Sequence, residues 1–150
     1  AQRRGVLSQR LRHRRVGMMG SFLLAWFSVA LVLLPLDALW LTSMKGFYQR
    51  ELGELLLPSP RLAVAAAFYV LFAAALAYFA VLPNRDADWT VVAFAGAFLG
   101  FTAYGAYDLT NYATLRGFTL RVMAIDWTWG TALSSVSAVA GWRLLKAFGG

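Results

Sequence analysis

Four long apolar runs order this chain. The first covers residues 16–44 and is broken only by Asp37; the second, 62–83, carries no charge. The third, 89–115, is broken only by Asp108, and the fourth, 117–142, is interrupted by Arg121 and Asp126. A helix needs about 20 apolar residues to cross a bilayer. Each run meets that length, and none alternates in the manner of a membrane β-strand. The pattern predicts an all-α membrane protein, a four-helix transmembrane bundle with spans near 18–43, 62–83, 89–115 and 118–143. Pro35 is expected to kink the first span, because it removes a backbone donor. Between spans one and two, Phe47, Leu52, Leu55 and Leu56 share a face, with Lys45, Arg50 and Glu54 elsewhere. That predicts a short amphipathic helix on the outer surface, stopped by Pro58 and Pro60.

Composition narrows the chemistry. Of 150 residues, 60% are hydrophobic and only 14% charged, with a mean hydropathy of +0.60. Cysteine is absent, which excludes disulfides, thiolate metal sites and cysteine nucleophiles. The single histidine, His13, lies outside the apolar runs, so histidine catalysis and multi-histidine metal sites are not expected. Phosphate-binding glycine loops and nucleophile elbows are missing. No cofactor is implied. Three Asp and Asn111 offer hard oxygen ligands suited to Ca²⁺ or Mg²⁺, but no dedicated metal motif accompanies them, and no metal is expected.

The acids inside the runs are the candidate chemistry. A carboxylate at the centre of a membrane helix costs about 2.5–3.5 kcal/mol on insertion scales, so an intramembrane acid is a functional-site hypothesis. Asp37, Asp108 and Asp126 each lie six or seven residues inside the outer end of their span, a depth of ~9–11 Å. Three helices bringing a carboxylate to one depth predicts one shared polar site. Span two, rich in alanine, reads as a packing element. Tyr104, Asp108 and Asn111 follow i, i+4, i+7 spacing and share a face, flanked by Tyr107 and Tyr112. Trp40 and Trp129 each stand three residues beyond an aspartate. The expected site therefore has Asp37, Asp108 and Asp126 as acid–base candidates, with Trp40, Tyr104, Tyr107, Asn111 and Trp129 as ligand-binding groups. Gathered in low dielectric, three carboxylates favour a proton or a cation on at least one of them.

Plainer readings compete. The aspartates can pin helices together through Arg116, Arg121 or an aromatic donor. Trp89 and Tyr48 read better as an interfacial aromatic belt. Gly96, Gly100, Gly130, Ser134, Ala138 and Gly141 form small-residue stripes suited to close helix contact.

Residues 1–17 form a basic N-terminal arm with six arginines and no acid, ahead of a membrane domain at 18–150. The arm suits anionic membrane lipids, at about 1 kcal/mol per charge near the surface, or a partner membrane protein. It lacks aromatics for base stacking, so no nucleic acid is expected. The basic start and apolar run also suggest a signal peptide. The run is too long and no A-x-A-like site follows, so it is expected to remain as a span. Nine Lys and Arg fall on the side of the termini against five on the other. The positive-inside rule then places both termini in the cytoplasm, in a multi-pass protein of a bacterial inner membrane.

The strings Leu36-Asp37-Ala38-Leu39-Trp40-Leu41, Lys45 to Leu52, Tyr107-Asp108-Leu109-Thr110-Asn111 with Ala113-Thr114-Leu115, and Asp126-Trp127-Thr128-Trp129-Gly130 carry a resemblance. They resemble the family of small bacterial predicted membrane proteins numbered 2177 among domains of unknown function. The resemblance covers about residues 19–145, and all three aspartates fall within its motifs. It implies four spans and carries no established activity, so it transfers no catalytic residue. Residues 1–17 lie outside it.

Three functions fit these residues. One is a pocket, open to the outer leaflet, for a lipid-like or hydrophobic small molecule, whose carboxylates could act as acid and base. Another is a structural or accessory subunit of a larger membrane complex. The third is a small proton-coupled transporter, which would need a homo-oligomer because span one is apolar through its inner half.

Overall fold

The structure, a computed structural model, describes the backbone of residues 2–148 and the side chains of residues 17–148. The helices are α1 (Gln2–Leu52), α2 (Leu62–Ala75), α3 (Trp89–Thr114) and α4 (Leu120–Phe148). α2 runs on through π-helical turns, Leu76–Val81, and a 3-10 turn, Leu82–Asn84. The rods Gly17–Leu55, Leu62–Asn84 and Trp89–Thr114 are each long and apolar enough to cross a membrane. α4 is more polar, but at 29 residues it is ~43 Å long, and it buries Ser134 and Ser137 completely. The chain is an all-α membrane protein, a class in which helices satisfy every backbone group internally. The arginines of the basic arm, Arg3 to Arg15, lie outside the residues whose side chains are described.

The amphipathic stretch after span one is helical, as its pattern requires, but it forms the last turns of α1. Two contacts hold it along the bundle. The Tyr48 hydroxyl donates to Asp126 at 2.5 Å, and Glu51 accepts from Thr119 at 2.8 Å. α1 ends where Gly53 adopts φ +50°, a left-handed conformation that closes helices at little cost to glycine. The 3-10 turn Gly53–Leu55 follows. Pro35 sits inside α1 without ending it.

The core follows from spacing. Ala25, Val29, Leu33 and Asp37 stand four apart on α1, and all four are buried. Their stripe meets Phe72, Ala73, Leu76 and Ala77 of the second rod and Leu133 and Ala138 of α4. α3 and α4 form the most extensive pair, and α1 lies along α4. In the α3–α4 seam, a Cβ at Gly100 would fall 2.7 Å from the Gly130 carbonyl oxygen. One at Gly96 would fall 2.8 Å from the carbonyl oxygen of Ser134. The small-residue stripes let these two backbones approach where hydrocarbon offers no hydrophobic drive for packing. At the end of the bundle away from Glu51, the Trp142 indole N–H donates to the Arg85 carbonyl at 3.0 Å, tying α4 to the connection before α3.

Candidate functional site

Near the end that carries the α1–α2 and α3–α4 connections, the helices part around a cavity of about 380 Å³. That lies within the ~300–1,000 Å³ usual for small-molecule pockets. Its polar lining is two carboxylates, Asp37 and Asp126, and four phenols, Tyr48, Tyr69, Tyr104 and Tyr107. Leu41, Leu52, Leu56, Phe68, Ala103, Phe118 and Val122 supply the apolar walls.

Local packing aims these groups. Asp37 is the next step of the buried α1 stripe, so its carboxylate occupies what would otherwise be a core position. Tyr104 lies over Gly130 of α4, where a Cβ would overlap its ring. Phe68 and Phe72 of α2 meet that ring edge-on, with centroids 6.4 and 5.9 Å away. Such contacts orient aromatic rings beyond their burial alone.

One network links the two carboxylates. Tyr69 donates its hydroxyl to Asp37 Oδ2, and the Trp129 indole N–H donates to Asp37 Oδ1 at 2.8 Å. The Trp129 ring stacks on Trp40, with centroids 4.3 Å apart and planes within 5°. The Trp40 N–H in turn donates to the Tyr48 oxygen at 3.0 Å, and Tyr48 donates to Asp126 Oδ1 at 2.5 Å. Residues of α1, α2 and α4 are thereby joined. Among the described residues, both Asp37 oxygens accept a side-chain hydrogen bond, whereas of the Asp126 oxygens only Oδ1 does.

The residues singled out from sequence are distributed unevenly. Asp37, Asp126, Tyr104 and Tyr107 line the cavity together. Trp129 and Trp40 stand outside the lining and act on it through Asp37 and Tyr48. Asn111 is half-buried beside Tyr107 and is not part of the wall. Asp108 is fully buried, both its oxygens lack a hydrogen-bond partner among the described residues, and it does not line the cavity. Among the described residues, no group of three or more acids, histidines or cysteines is placed to hold a metal ion.

Two participants escaped the sequence reading. Tyr48, read as part of an aromatic belt, faces the cavity and bonds Asp126. Tyr69 belongs to the helix read as packing only. It stands seven residues from the start of α2, the same interval that marks the aspartates, and that interval was the available signal.

The fold and this site define an integral membrane protein built of helices, with a carboxylate–phenol cavity between them. The chain belongs to the family described as "Predicted membrane protein (DUF2177)", whose model matches residues 22–143. No curated relative and no solved structure matches it.

Proposed function

We propose that this protein holds a lipid-like or hydrophobic small molecule in the Asp37–Asp126 cavity, within a bacterial inner membrane and with both termini cytoplasmic. The observation that carries the reading is the lining itself. A small set of acceptors and phenols converges within apolar walls, which is the composition of a ligand pocket. In this reading the arginines of residues 1–17 meet anionic headgroups on the cytoplasmic side. Ala103 offers the direct test, because it lines the cavity with little volume of its own. Ala103→Trp fills the space from α3. Protein purified in mild detergent is extracted with organic solvent, and the retained molecules are compared by mass spectrometry. A species enriched on the wild type is expected to vanish from Ala103→Trp while circular dichroism stays unchanged. Identical retained species on both proteins would count against the pocket.

Asp37 favours a second reading. Both its oxygens accept from other helices, Tyr69 on α2 and Trp129 on α4. Such bonds suit a structural or accessory subunit whose acids hold helices together.

A further inference from the structure

We infer that the ligand is an organic cation, an amine or quaternary ammonium head on a short apolar tail; this inference rests on the pocket reading above. The argument is one of charge and of walls. The chain carries 14 Lys and Arg against 7 Asp and Glu, yet among the described residues two acids and no base line the cavity. The nearby base Arg121 is mostly exposed and turned to Glu51, at 3.4 Å. An anionic head, phosphate or carboxylate, would enter beside two carboxylates with no basic side chain among the described residues of the wall to receive it. In low dielectric that repulsion is poorly screened. A cationic head instead meets Asp126, whose Oδ2 has no donor among the described residues. The rings of Tyr104, Tyr69 and Phe68 line the same cavity, and aromatic faces attract cations, quaternary ammonium heads among them. The apolar walls formed by Leu41, Leu52 and Val122 remain for the tail.

Three probes with one tail and different heads test this: octyltrimethylammonium, 1-octanol and octane-1-sulfonate. Each is titrated calorimetrically into the full chain in phosphatidylcholine nanodiscs, and the heat from empty discs is subtracted. The ammonium is expected to bind about tenfold tighter than the alcohol, on the scale of a desolvated cation–π contact, and the sulfonate to give no heat above the blank. Asp126→Asn is expected to weaken ammonium binding and to narrow its margin over the alcohol. If the alcohol or the sulfonate binds wild type as tightly as the ammonium, the cation assignment is overturned while the pocket stands. If no probe binds, the assignment is overturned too, and the retained-lipid comparison with Ala103→Trp decides separately whether the pocket falls with it. The wild-type ranking of the three probes needs no variant to fold.

Discussion

Asp37 and Asp108 are both buried carboxylates, and their neighbours give them opposite energetics. Asp37 accepts from Tyr69 and Trp129. Truncating it strands two donors in the bundle interior, at about 1–3 kcal/mol for each buried group left unsatisfied. Asp108 has no donor to strand among the described residues. Replacing a buried polar group that lacks partners with an apolar one of similar size is close to neutral or stabilising. Asp37→Ala is therefore expected to lower the melting temperature in detergent, followed by tryptophan fluorescence, while Asp108→Val melts at or above wild type. A loss of equal size in both variants would show that Asp108 has a partner in the folded protein.

At the scale of elements, the α3–α4 pair is decided by what its glycines permit. At Gly100 the obstacle to a side chain includes the Gly130 carbonyl, a backbone atom that cannot swing aside. Gly17, by contrast, has nothing within 4 Å of its missing Cβ. Gly100→Val is expected to part the seam and lower the melting temperature, by about 1–3 kcal/mol or more of overpacking. Gly17→Val is expected to leave it unchanged, and similar melting of the two variants would refute the close contact. The four rods were legible in the sequence because length and apolarity are local properties. The path of α1 to Leu52 was not, since it depends on partners far along the chain: Asp126 for Tyr48, and Thr119 with Arg121 for Glu51. Spacing put Asp37, Asp126, Tyr104 and Tyr107 in one region, and all four line the cavity. It could not say how α3 is rotated. Tyr104 and Tyr107 line the cavity, whereas Asp108, one turn on from Tyr104 and on the same buried line as Val92, Gly96 and Gly100, does not. Tyr69 stood out less than Tyr104 and Tyr107 because its alanine-rich span holds no acid for it to neighbour.

For the whole molecule the open quantity is which membrane face the cavity approaches. The helix connections settle one part of it: Ser59 precedes α2 at the cavity end, and Asp86 lies in the α2–α3 connection at the opposite end, beside the Trp142–Arg85 contact. The Lys and Arg count puts the cavity end outside, nine against five, but the six arginines of residues 1–17 supply that excess. Without them the bias is three against five and points the other way. The chain has no cysteine, so single substitutions report cleanly. Ser59→Cys is expected to react with a membrane-impermeant maleimide in intact cells, and Asp86→Cys, at an exposed position, only after lysis. Deleting residues 1–17 is expected to lessen or reverse that pattern. If the full chain labels at position 86 instead of 59, the orientation is inverted, and a ligand entering from the membrane would come from the cytoplasmic leaflet.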